Sequence, residues 1–144
     1  MVTWVIATLT DEPQAETKAD DSRGLIRALV ADDFVHMQDA LASCLESLPR
    51  VQVIAKALNG KEALEQVRQH LPDLAIVDLQ MPVMDGFKLL RELRRSYPTM
   101  RLVAVSGHTS PAIQQEALAA GADAFVSKGQ LPYSLVSTVE KLLG

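Results

Sequence analysis

The sequence predicts an α/β fold built on a five-stranded parallel, doubly wound sheet. Three observations predict it. From Leu25 onward, short apolar runs alternate with segments of helical period, the signature of repeated strand–helix units. The runs Arg27-Ala28-Leu29-Val30-Ala31 and Leu74-Ala75-Ile76-Val77 are continuous rather than alternating, as strands covered on both faces of a parallel sheet must be. Finally, 144 residues with 48% hydrophobic content supply one core and leave little for a second folded domain.

Taken in order, the first strand is predicted over 27–31 and the helix after it over 35–47. Cys44 lies among Ala40, Leu41, Leu45 and Leu48 on the buried face of that helix and reads as a core thiol. The second strand covers 51–55, and its helix 60–69 turns Ala63, Leu64 and Val67 inward. The third strand covers 74–77. Asp85-Gly86 then makes a turn and starts the helix 86–95, whose inner face carries Phe87, Leu90 and Leu93. After a fourth strand over 102–105, Ser110 as N-cap and Pro111 at the first helical position open the helix 111–119, which Gly121 closes. The fifth strand spans 124–126 and the last helix 132–143.

A formal charge of −4 is a poor match to a surface that neutralises nucleic-acid phosphates, so direct nucleic-acid binding is not expected. A single cysteine excludes an internal disulfide and suits a reducing compartment. The opening stretch 2–9 is apolar, but no basic residue precedes it, it is too short to span a bilayer, and Asp11-Glu12 follows at once. A signal peptide or membrane helix is not expected, which places the protein in the cytoplasm. Residues 10–24 offer little to bury, so 1–24 reads as a flexible N-terminal extension and 25–144 as the folded domain.

The chemistry sits at the strand ends. The first run stops in Asp32-Asp33 and the third in Asp78; the fourth ends in Ser106 and the fifth in Ser127-Lys128. Ligands of open parallel sheets bind beyond the carboxyl ends of the strands, where the strand order switches direction. Three carboxylates converging there repel one another and raise their pKa values unless a cation neutralises them, which points to a bound metal ion. Taken singly, each residue has a blander reading. Asp32 or Asp33 could cap the first helix, Ser106 could close a turn on its own backbone, and Lys128 could be solvated. His36, His70 and His108 lack metal-ligand spacing and read as surface or loop residues.

Four segments carry a family resemblance: Asp32-Asp33, Asp78-Leu79-Gln80-Met81-Pro82-Val83-Met84-Asp85-Gly86, Ser106-Gly107 and Ser127-Lys128-Gly129, in this order and each at a strand terminus. Over 27–143 the chain resembles the receiver domain of bacterial two-component response regulators, in its stand-alone, chemotaxis-regulator-like form. Two positions bear comment. Ser106 stands where the family uses Ser or Thr, and Gly129 stands where many members have Pro, which bears on the turn that aims Lys128.

The resemblance implies a flavodoxin-like sheet of order 2-1-3-4-5 and a two-component signalling role rather than an enzyme's. In that picture Asp78 accepts a phosphoryl group from a kinase histidine, or from a small donor, and loses it slowly. Mg²⁺ is the implied cofactor, with Asp33, Asp78 and the backbone carbonyl of Gln80 as ligands and Asp32 as a ligand through water. Such a hard, octahedral ion suits this oxygen set. Lys128 pairs with Asp78 and then with a phosphoryl oxygen, Ser106 hydrogen-bonds another, and Phe125 is the switch aromatic. Gln80 and His108 stand at the positions that tune phosphoryl lifetime. The implied partners are a sensor histidine kinase or histidine phosphotransfer protein, and a downstream protein that reads the face of the fourth helix, fifth strand and fifth helix. A phosphorylation-dependent dimer belongs to the same picture, and no membrane does.

Other functions fit less well. A metal-dependent phosphohydrolase with an aspartate nucleophile needs an acid/base two residues on, where this chain has Gln80. A flavin carrier needs a phosphate loop after the first strand, where Asp32-Asp33 would repel the cofactor. A receiver that only scaffolds partners would not need the acid set. The sequence ends at Gly144, just past the last predicted helix, so output is expected through protein binding or onward phosphoryl transfer; a fragment of a longer regulator with an output domain is the alternative.

Overall fold

A computed structural model of the protein describes residues 24–144. The predicted extension 1–24 lies outside the described residues apart from Gly24. Five strands, β1 (Ile26–Ala31), β2 (Val51–Ala57), β3 (Leu74–Asp78), β4 (Arg101–Ser106) and β5 (Ala124–Ser127), alternate with five helices. These are α1 (Val35–Glu46), α2 (Gly60–His70), α3 (Gly86–Ser96), α4 (Pro111–Ala119) and α5 (Tyr133–Leu143). All strand pairs are parallel and the sheet order is β2-β1-β3-β4-β5, as predicted.

The period of two along each strand divides the core into two layers. Leu29, Ala31, Ala75, Val77, Leu102 and Ala104 pack with Ala63 and Val67 of α2, Leu89, Leu90 and Leu93 of α3, and Ala117 of α4. Their neighbours Ala28, Val30, Leu74, Ile76, Val103 and Val105 pack on the opposite face against Leu41 and Leu45 of α1 and Leu135 and Val139 of α5. Both faces of the sheet are thus covered, which is why the strands read as unbroken apolar runs. The chain steps from β1 outward to β2 and then across to β3. This is the reversal of direction that opens a crevice at the carboxyl ends of β1 and β3.

Helix starts follow the expected chemistry. Asn59 caps α2 by accepting from Glu62 N at 2.8 Å, while Glu62 reaches back to Leu58 N at 2.7 Å. Asp85 caps α3 through Lys88 N at 2.9 Å, and Ser110 caps α4 ahead of Pro111. Three details differ from the sequence reading. β2 runs two residues further, to the buried Ala57, whose carbonyl accepts from Asp32 N at 3.0 Å. A short 3-10 turn, Lys128–Gln130, stands between β5 and α5. Cys44 is only half-buried beside the second core layer, and that burial still pushes its thiol pKa up.

On the far side of the sheet from the acids, Arg94 of α3 ties three segments together. Its guanidinium donates to Gly121 O at 2.7 and 3.0 Å, to Pro98 O at 2.9 Å, to Met100 O at 2.8 Å and to Asp123 Oδ2 at 2.8 Å. Gly121 permits this close approach: its φ is +121, and a Cβ there would lie 2.7 Å from the Cβ of Arg94. Arg94→Met keeps the packing and leaves three carbonyls without their donor, so it should lower the unfolding free energy by about 2 kcal/mol in urea titrations, with the slope unchanged.

Candidate functional site

Three carboxylates meet at the carboxyl edge of β1 and β3. Asp32 follows β1 and is fully buried, Asp33 is exposed, and Asp78 is the last residue of β3 and almost wholly buried. One oxygen of each lies within 4.8 Å of the others. Lys128, from the start of the 3-10 turn, reaches in from the side. Its Nζ lies 3.0 Å from Asp32 Oδ2 and 3.3 Å from Asp78 Oδ2.

The remaining acid oxygens are held by backbone. Asp32 Oδ1 accepts from Phe34 N at 2.9 Å, and Asp78 Oδ1 accepts from Gln80 N at 3.1 Å. Asp32 therefore closes a turn before α1 instead of capping it; Phe34 occupies the cap position and supplies no side-chain bond. Asp32 Oδ2 is buried and has the Lys128 ammonium, 3.0 Å away, as its charge partner. Burial is the main influence that raises the Asp78 pKa; the Gln80 N–H pulls it back, the Asp32 charge raises it further, and Lys128 lowers it. Mutual repulsion, the effect expected from the sequence, is thus smaller than desolvation. For Lys128, burial favours the neutral amine, but its contacts with Asp32 and Asp78 outweigh it and the pKa ends above the ordinary value. The ammonium persists at neutral pH.

Local structure explains how these groups are aimed. Ser127 Oγ accepts from Gly129 N at 3.2 Å and so caps the turn that begins at Lys128. Glycine in place of proline at position 129 leaves Lys128 pointing at both buried acids. Behind Asp78 the chain turns tightly. Met84 N donates to Pro82 O at 2.7 Å, with Val83 between them at a φ of 68. Gly86 then brings α3 onto the strand end, where a Cβ would lie 2.3 Å from Asp78 O and 2.6 Å from Leu79 Cα. Asp85, committed to its helix cap, stays out of the acid cluster.

Ser106 ends β4 beside β3 and is buried; its Oγ accepts from His108 N at 2.9 Å, which leaves the hydroxyl proton free to donate elsewhere. Phe125 is half-buried against the first core layer. It borders an open depression of about 330 Å³ with Thr109, Gln114, Ser127 and Gln130. His36 packs edge-on against Phe34, and none of the three histidines joins the acids. One buried polar residue beside the site escaped the sequence reading: Gln38, on α1. Its only signal was a polar side chain three residues before Leu41, on a face that is otherwise core.

The donor set fits a hard divalent ion. All three side chains offer oxygen, and one ammonium opposes three carboxylates. Asp33 and Asp78 could ligate such an ion directly.

Comparison with known proteins agrees with this geometry. The family model described as "Response regulator receiver domain" matches residues 28–140. A protein-glutamate methylesterase/protein-glutamine glutaminase of Myxococcus xanthus is 38% identical over 111 residues, which are 77% of this chain and 32% of that protein. The probable transcriptional regulatory protein NarL of Mycobacterium tuberculosis is 33% identical over 114 residues, 79% of this chain and 53% of that protein. The chain thus spans a third to a half of the length of these curated relatives. The solved structure of the signal receiver domain of the same NarL superposes with a TM-score of 0.76 at 33% identity, covering 83% of this chain and 97% of that one.

Two outcomes follow, one for Asp78 and one for the glycine packed on its carbonyl. Its folded-state pKa is raised, so the ionised form opposes folding: stability is greatest below the ordinary carboxylate pKa and falls as pH rises through the folded value. In EDTA, Asp78→Asn should therefore melt higher than wild type at pH 7, and the difference should close as the pH is lowered through the carboxylate range. Gly86→Ala should cost about 3 kcal/mol or more in denaturant titrations, because its Cβ would meet backbone that cannot yield.

Proposed function

The chain belongs to the response regulator receiver domain family, and on that footing we propose that Asp78 is its phosphoacceptor, charged by a sensor histidine kinase or a histidine phosphotransfer protein. The single observation that carries this reading is the placement of Asp78: a buried carboxylate at a strand end, flanked by Asp32 and Asp33 and paired with Lys128. An Asp78 oxygen forms a bond to phosphorus as the bond from phosphorus to the donor imidazole nitrogen breaks, and the freed imidazole takes up a proton. Phosphoryl transfer of this kind depends on positioning and charge neutralisation more than on covalent help from the protein.

Mg²⁺, held by Asp33, Asp78 and the Gln80 carbonyl and reached by Asp32 through water, would supply the charge neutralisation that lets an anion attack an anion. Lys128 opposes protonation of Asp78 before transfer and then pairs with a phosphoryl oxygen. Ser106, its proton free, donates to a second. Two added negative charges draw Ser106 toward the site, and Phe125 turns inward behind it toward the core it already borders. The face of α4, β5 and α5 is where a downstream protein, or a second phosphorylated copy, would read the change. Gln80 cannot exchange protons, which favours a long-lived adduct over turnover.

A second reading, a receiver that serves a longer regulator with an output domain, draws on the relatives, in which the matched segment is 32% and 53% of the protein. The receiver chemistry is the same in both. Among the described residues no helix is long and apolar enough to cross a membrane, and we place the protein in the cytoplasm. The test is intact-mass spectrometry after incubation with Mg²⁺ and a small phosphodonor such as acetyl phosphate. One labile phosphoryl adduct is expected on the wild type and none on Asp78→Asn or in EDTA. Donor hydrolysis without an adduct would replace the phosphoacceptor reading with a hydrolase, and an inert protein would replace it with a scaffold.

A further inference from the structure

Among the described residues four polar side chains are buried: Asp32, Gln38, Asp78 and Ser106. Three of them belong to the site already described. Gln38 has no reacting group and lies on α1, where its 5% exposure places an uncharged amide among apolar neighbours. A buried amide is costly unless its hydrogens are taken up, and both are. Gln38 Nε2 donates to Asp32 O at 3.1 Å and to Ala57 O at 2.7 Å, the carbonyls at the ends of β1 and β2.

The Asp32 carbonyl is half of the peptide that joins Asp32 to Asp33. Fixing its direction fixes how the two side chains diverge, one inward onto Lys128 and the other outward to the exposed rim. Asp32 N is pinned to Ala57 O at 3.0 Å, and Asp32 Oδ1 is held by Phe34 N. Without Gln38 the peptide after Asp32 would be the one unheld link in that turn, because α1 begins without a side-chain cap. We propose that Gln38 is a positioning residue for the divalent-cation site: by clamping the Asp32–Asp33 peptide to the end of β2, it sets the separation of the acids that receive the ion. This inference rests on the reading of the acids as an Mg²⁺ site.

Partners that orient metal ligands typically change metal affinity 10- to 100-fold when removed. The experiment follows thermal unfolding of the full chain in EDTA and across an Mg²⁺ titration, for the wild type, Gln38→Met, Gln38→Asn and Val139→Ala. Gln38→Met keeps the length and loses the donor. Gln38→Asn keeps the amide but is one methylene short of spanning both carbonyls, and it is the gentler change should Gln38→Met not fold. Val139→Ala loosens the core under α5 without touching the turn.

The Mg²⁺ concentration for half of the stabilising effect should rise about tenfold in both Gln38 variants and stay at the wild-type value in Val139→Ala, even where the melting temperatures in EDTA fall alike. Wild-type half-saturation in a folded Gln38 variant would overturn the inference and make Gln38 a stability residue only. A wild type that ignores millimolar Mg²⁺ would overturn the metal reading itself, and this inference with it.

Discussion

One ammonium shared by two buried carboxylates is the constraint on which the rest of this structure turns. Asp32 and Asp78 are brought out of water at the same sheet edge, and Lys128 stands 3.0 and 3.3 Å from them. Burial raises the Asp78 pKa and the Asp32 charge adds to the rise, while Lys128 opposes it. For Lys128, burial favours the neutral amine and the two acids outweigh it. The three charges are therefore one unit. That unit joins β1, β3 and the turn after β5, the segments whose relative placement the parallel sheet determines.

The surrounding backbone serves to hold this unit still. Gln80 N and Phe34 N donate to the carboxylates of Asp78 and Asp32, and the Ser127 hydroxyl accepts from Gly129 N, so each fixes one corner. Gly86 lets α3 sit directly on the carbonyl of Asp78, so that peptide is braced by a helix start. On the opposite side Gln38 braces the turn that carries Asp32 and Asp33. Asp33 differs from both buried acids in being exposed, which makes it the group of the cluster that an arriving ion would meet first.

The strand ends were the legible part of this site. Asp32, Asp33, Asp78 and Lys128, which the structure brings together, could be read from the sequence because each follows an apolar run; singly each has a blander use, and only convergence on one sheet edge marks them out. Sheet order came from the family pattern and agrees with the structure. Gln38 was illegible for the opposite reason. It lies within a helix, where a polar residue at an inward position looks like an imperfection in the period, and only the positions of two carbonyls from different strands give it meaning. The electrostatic cause was also hidden. Spacing along a chain reveals that acids converge but not how deeply they are buried, so repulsion was foreseen and desolvation was not.

Burial of Asp78 has opposite consequences for stability and for chemistry. A raised pKa means that the ionised form is held at a cost to folding, yet it also means a more basic, more nucleophilic oxygen. Lys128 and the Gln80 N–H pull the pKa back without cancelling the rise. More cationic pairing would lower that pKa, and less would raise it further. On the proposed reading, a second cation that comes and goes would resolve the conflict better than a second lysine, because it would relieve the excess charge of the cluster only when a phosphoryl donor is there to be attacked. The proposed division of labour, a fixed ammonium for the resting acids and an exchangeable ion for the reaction, would account for three carboxylates being matched to a single lysine.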